Sequence, residues 1–144
     1  MSADPHLVRL GHQLFPESSF WAYNTSIMTF DDFRTKLQNV DSRERAYALA
    51  IGFLSRRPRF DWTGVYALDG DALALRSFVG KPTIHTRIPV GKGICGVAMA
   101  RRINLNVPDV TQVEDYLSCS VQTRSELVVL IRKGDQIFAQ IDVD

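Results

Sequence analysis

At Asp61 the hydrophobic period of the chain changes from helical to strand spacing, and this switch constrains the fold more than any other feature. Before it, Phe30, Phe33, Leu37 and Val40 recur on one helical face, with Thr29 placed as a cap. A second helical stretch carries Ala46, Ala50, Phe53 and Leu54 on one stripe. Asp41 with Glu44 reads as its start and Pro58 as its stop. After the switch, Trp62, Gly64, Tyr66 and Leu68 alternate with Thr63, Val65 and Ala67, and Asp69-Gly70 marks a tight hairpin into residues 72–78. Residues 85–90 form a third extended piece, which contains Pro89 and so belongs at a sheet edge or ends there. A short helix of small residues follows at 93–102, then a short strand at 104–107 and a loop or helical turn at 110–119. Residues 125–132 and 136–144 make a last hairpin around Gly134-Asp135. Helices first, then antiparallel strands with one helical insertion, describe an α+β fold with helices on one face of the sheet.

Residues 5–15 carry Leu7, Leu10 and Leu14 at helical spacing, interrupted by Gly11. Residues 16–26 read as an extension whose Phe20, Trp21 and Tyr23 form a packing flap. The 144 residues leave room for one domain. With 17 basic and 16 acidic side chains there is no basic excess of the kind nucleic-acid binders carry. The longest apolar run, 127–131, is too short to cross a bilayer, and the first residues lack the apolar core of a signal peptide. Two cysteines cannot build a disulfide scaffold and suit a reduced, cytoplasmic setting. Arg56, Arg57 and Arg59 look like a basic patch, and a solvated helix C-terminus explains them as well without a partner.

Gly91-Lys92-Gly93-Ile94-Cys95-Gly96 fits G-x-G-x-x-G. A dinucleotide site also needs a buried strand before this motif and a long helix after it. Pro89 and the short helix deny both, so the glycines serve tight turning and close backbone approach. Cys95 lies at the helix start, where backbone N–H groups and the dipole favour a thiolate; the plain alternative is a small inert core residue. Cys119, flanked by Ser118 and Ser120 with Arg124 nearby, reads as accessible and reactive. Glu126, Asp142 and Asp144 lie inside or at the end of apolar strands. Asp142 and Asp144 share one face, either as pocket carboxylates or as solvated strand ends. His6, His12 and His85 are scattered, and no His/Cys spacing matches a zinc site, so no metal is expected. No G-x-S-x-G nucleophile elbow occurs.

One ordered series of segments has a family likeness. It runs Asp61-Trp62-Thr63-Gly64-Val65-Tyr66, Arg87-Ile88-Pro89-Val90-Gly91-Lys92-Gly93-Ile94-Cys95-Gly96, Pro108-Asp109-Val110, Cys119, Ser125-Glu126-Leu127-Val128-Val129 and Ile141-Asp142-Val143-Asp144. The series resembles the free methionine-(R)-sulfoxide reductases, which are GAF-domain enzymes, over residues 61–144. The resemblance implies a GAF-like antiparallel sheet flanked by helices, a single domain over 1–144 with an N-terminal extension of about residues 1–28. It also implies an enclosed pocket for free methionine-R-sulfoxide. Cys119 matches the nucleophile there and Cys95 a second active-site cysteine. Trp62 and Tyr66 match the aromatic wall at the substrate's methyl end, and Glu126, Asp142 and Asp144 the pocket carboxylates.

The implied chemistry is consistent with those residue types. A thiolate attacks a sulfoxide sulfur only if the departing oxygen is protonated, and a carboxylic acid in a dry pocket can supply that proton. The sulfenic acid left on the cysteine condenses with a second thiol, and a thioredoxin-like dithiol reduces the disulfide. The scheme needs no cofactor, nucleic acid or membrane, and a homodimer is compatible with it. Three places depart from the family. His85 stands where the resolving cysteine is usual. Tyr116 and Ser120 replace a His and an Asp around Cys119. The family continues into a helix after its last acidic strand, whereas this chain ends at Asp144 and so reads as a truncated form. A GAF-type binding module or degenerate paralogue without turnover, and a purely structural or dimerisation domain, are the competing readings.

Three geometric expectations follow. Trp62 and Tyr66, four apart on a strand, share a face. His85 lies near Cys119, or else points to solvent from an edge strand. The third involves a conflict: a two-residue Gly134-Asp135 turn pairs Arg132 with Ile137 and puts Glu126 on the face opposite Asp142 and Asp144. A shared carboxylate pocket therefore requires an odd-length loop or a bulge near Glu126.

Overall fold

Among the described residues, two capped helices lead into the sheet. The computed structural model describes residues 28–113 and 123–144; the expected helix at 5–15, the flap at 16–26 and the segment holding Cys119 lie outside the described residues. Helix α1 spans Phe30–Gln38, where the Thr29 hydroxyl accepts from the Asp32 N–H and the Asp32 carboxylate accepts from the Thr29 N–H. This reciprocal box satisfies two donors that a helix start otherwise leaves unmet. Helix α2 spans Arg43–Leu54 and is capped by Ser42 rather than Asp41. Serine and aspartate cap about equally well, and the one-residue shift leaves Asp41 to pair with the Arg45 guanidinium. Phe33 stacks on Phe53 at 4.5 Å between ring centroids and ties the two helices together. Ile51 and Phe53 are the buried residues of α2, a narrower contact than the expected alanine stripe.

Among the described residues, six strands form one antiparallel sheet: β1 (Thr63–Asp69), β2 (Ala72–Val79), β3 (Arg87–Pro89), β4 (Leu105–Val107), β5 (Glu126–Lys133) and β6 (Gln136–Val143). Their order is β3-β2-β1-β6-β5-β4, so Pro89 does lie on an edge strand. The first turn is Gly70-Asp71, one residue later than Asp69-Gly70, because Asp69 pairs with Ala72 and Gly70 takes the positive φ of 63°.

Helices cover both faces of the sheet, not one. Ile51 of α2 packs with Val65 and Ala139 on the outer face, while helix α3 (Gly93–Arg101) packs Ile94, Cys95, Ala98 and Met99 against Trp62, Tyr66 and Val128 on the inner face. Thr63, Gly64, Val65 and Tyr66 are accordingly all buried, although the sequence alternates in that segment. A Cβ on Gly96 would stand 2.5 Å from the Pro89 carbonyl oxygen, so α3 sits directly against the edge strand. That close approach, rather than a nucleotide, accounts for the glycine there.

The last hairpin satisfies both sides of the conflict. Gly134-Asp135 is a two-residue turn with Arg132 opposite Ile137, and the register then shifts so that Ile131 faces Ala139. Phe138 is the extra residue of a bulge close to the turn rather than near Glu126. Beyond it Val128 faces Asp142, which puts Glu126 on the same inner face as Asp142.

Candidate active site

On the inner face, Cys95, Glu126 and Asp142 converge. Their relative exposures are 4%, 3% and 0%, and one donor atom from each lies within 4.8 Å of the other two. The β6 bulge turns Glu126 inward, the β1–β6 pairing places Asp142 at the middle of the sheet, and the first turn of α3 brings Cys95 over both. Ile88, Lys92, Gly93 and Ile94 complete a crevice with almost no space for a water molecule. A thiol and two carboxyls held this closely could move a proton or share a cation, although the chemistry expected from the sequence needs no metal.

The Trp62 and Tyr66 rings share this face, as their spacing requires, with centroids 6.3 Å apart. The Trp62 indole Nε1–H donates to the Lys81 carbonyl at 3.0 Å, and Phe78 stacks against the indole at 5.8 Å. Trp62 directly precedes β1, and its indole lies along that strand over Gly64, the residue that pairs with Asp142 across to β6. A Cβ on Gly64 would meet the indole Cη2 at 2.2 Å. With the ring held on its other sides, Gly64→Ala is expected to destabilise the fold by about 1–3 kcal/mol, the usual cost of overpacking a filled core. Thermal unfolding measures this directly, and an unchanged Tm would contradict the fixed position of the indole.

Asp144 follows on the same face as Asp142. Its N–H donates to the Trp62 carbonyl at 2.9 Å, and its own carbonyl accepts from the Asp61 N–H at 2.8 Å. Burial pushes its carboxyl up from 3.8 to about 6, against the opposing effect of the Thr123 hydroxyl, which donates to Oδ2 at 3.0 Å. Between these two values the folded state binds more protons than the unfolded chain, so this group's contribution to stability falls as pH rises from about 4 to about 6. Asp144→Asn is expected to remove that slope. Tm of both forms across this interval tests it, and equal pH dependence would refute it.

No family model matches the chain. A free methionine-R-sulfoxide reductase of Escherichia coli (strain K12) is 37% identical over 84 residues, which are 58% of this chain and 50% of that protein. The chain thus spans about half the length of the curated relatives it matches. A free methionine-R-sulfoxide reductase from Neisseria meningitidis, solved in complex with its substrate, aligns with a TM-score of 0.74 at 29% identity, over 79% of this chain and 69% of that one. The type II enzyme from Thermoplasma acidophilum is 33% identical with a TM-score of 0.66, over 78% of this chain and 77% of that one. The chain belongs to the free methionine-R-sulfoxide reductase family. Its fold is that of GAF domains.

His85, which the sequence reading set at the expected position of a resolving cysteine, lies within the described residues. It is half-buried, its N–H donates to the Thr83 hydroxyl at 3.1 Å, and its carbonyl accepts from the Tyr66 hydroxyl at 2.8 Å. The backbone at 85 is therefore anchored to the aromatic pair on the inner face. Its distance to Cys119, and the position of Cys119 itself, lie outside the described residues.

Gln140 was missed in reading the sequence. It is 0% exposed, on the inner face of β6 two residues before Asp142, and it pairs with Tyr66 on β1 and Leu130 on β5. A polar residue between Ala139 and Ile141, two before Asp142 in an otherwise apolar strand, was the available signal.

Proposed function

We propose that this chain reduces free L-methionine-(R)-sulfoxide to methionine with electrons from thiols. The reading is carried by one observation: a chain of this family buries Cys95, Glu126 and Asp142 together beside the Trp62 indole. The Neisseria relative solved with its substrate supports the substrate class.

In this reading Trp62 and Tyr66 receive the methyl end of the substrate, and the carboxylates hold its amino group and its oxygen. Two carboxyls this close in a dry site favour keeping one proton between them, which makes Glu126 a proton donor. The Cys119 thiolate attacks the sulfoxide sulfur as the oxygen is protonated. The substrate sulfur gains two electrons, the oxygen passes to Cys119 as a sulfenic acid, and methionine leaves. Attack by a second thiol forms a disulfide and releases that oxygen as water. With His85 in place of a cysteine, the second thiol is Cys95 or comes from outside. A thioredoxin-like dithiol then returns two electrons and two protons. The reading sets the chain in a reducing, cytoplasmic compartment as one domain with an N-terminal extension, and it admits a homodimer, which sedimentation would count.

The deciding experiment offers free methionine-R-sulfoxide, the S epimer and a peptide-bound sulfoxide, with dithiothreitol and thioredoxin in separate reactions. Methionine release from the free R epimer alone is the expected result. His85 favours a second reading, a GAF-type binding module without turnover. In that case the R epimer binds but no methionine appears, and the reductase reading fails.

A further inference from the structure

Gln140 has no task in the chemistry above, yet its position is costly. Its side chain is fully buried, and neither Oε1 nor Nε2 has a hydrogen-bond partner among the described residues. A carboxamide carries two N–H donors and an acceptor oxygen. Burying such a group unmet costs free energy that an apolar side chain of similar size would not. Its cross-strand neighbours are Tyr66 and Leu130, and Tyr66 directs a hydroxyl bond to His85. On its own strand the next residue on the same face is Asp142. Two residues along a strand are about 7 Å apart, so an oxygen held at the Asp142 carboxyl comes within reach of the glutamine side chain.

We propose that Gln140 distinguishes sulfoxide from thioether, its Nε2–H donating to the sulfoxide oxygen of the bound ligand. The inference rests on the reductase reading. A sulfoxide oxygen is a strong acceptor, whereas the thioether sulfur of methionine is a weak one. The amide is satisfied only while the oxygen is present, and it becomes unmet again once the oxygen has gone. A site built around a buried polar group rejects the ligand that lacks the matching atom. The carboxyls cannot perform this discrimination alone, because a carboxyl donates only while protonated and gives that proton up in the reaction. The amide keeps its protons throughout. Gln140 therefore favours binding of substrate over retention of product.

Binding measured by calorimetry tests this in a Cys119→Ser background, where turnover is blocked. The parent is compared with Gln140→Leu and Gln140→Met, using free L-methionine-R-sulfoxide and L-methionine as ligands. The parent is expected to prefer the sulfoxide. Both variants are expected to lose about tenfold of that preference through weaker sulfoxide binding, with methionine bound as well or better. Their ligand-free Tm should rise, which shows that the fold is kept. A preference unchanged in both variants overturns the proposal, as does an equal loss for both ligands, which would mean a merely structural role. A parent that binds neither ligand removes the reductase reading and this inference with it. A parent that binds while the variants keep its preference removes the inference alone.

Discussion

Cys119→Ser is expected to lower reduction of free methionine-R-sulfoxide by at least about a thousandfold, with the fold intact. The step needs a thiolate, and a serine hydroxyl at neutral pH supplies almost no anion and is a poor nucleophile without an activating base. The matching Cys95→Ser variant should behave differently. Cys95 is buried in the first turn of α3, beside Glu126 and Asp142. If Cys95 serves as the second thiol, its loss leaves the first turnover intact and blocks cycling. One methionine per chain should then appear in a burst, and mass spectrometry should find a sulfenic acid or a mixed disulfide on Cys119. The wild type should instead show a Cys95–Cys119 disulfide, or a mixed disulfide with the added thiol. Activity that survives Cys119→Ser and disappears in Cys95→Ser would exchange the two roles.

Glu126→Gln should lower kcat by about a hundredfold to ten-thousandfold, the range that a positioned proton donor supplies, while KM changes little. The substitution keeps the shape of the side chain and removes the acid. Glu126 is almost fully buried, so the loss cannot be ascribed to a change at the surface. The parallel variant Asp142→Asn separates the two carboxyls. If Glu126→Gln stays within about threefold of wild type and Asp142→Asn loses the larger factor, the proton comes from Asp142. A loss confined to KM in both would make the carboxyls substrate holders, with the proton drawn from elsewhere.

The parts of this site that were legible in the sequence are those set by local chemistry. Thr29 announced the first helix, Pro89 announced an edge strand or a strand end, and Gly134-Asp135 announced the last turn, because caps, φ restriction and tight turns involve only near neighbours. The spacing of Trp62 and Tyr66 likewise settled that both rings share a face, since the strand period is strict. The choice between Asp41 and Ser42 as a cap was less legible, because two adjacent residues of nearly equal capping strength compete.

Three features depended on pairings between distant segments. The bulge at Phe138 reconciles a two-residue turn with a shared face for Glu126 and Asp142, and it lies just past Ala139, where the β1 pairing of β6 ends and the pairing with β5 continues. The cover on both faces of β1 follows from where α2 and α3 dock, which strand alternation alone does not encode. The burial of Gln140 likewise needed the strand order, since only a central place between β1 and β5 removes it from water. The sequence by itself therefore determined the elements, their turns and the residue types able to do thiol and acid chemistry. The tertiary structure decided which of those residues meet in a dry crevice, because register and layer packing join groups that lie far apart along the chain.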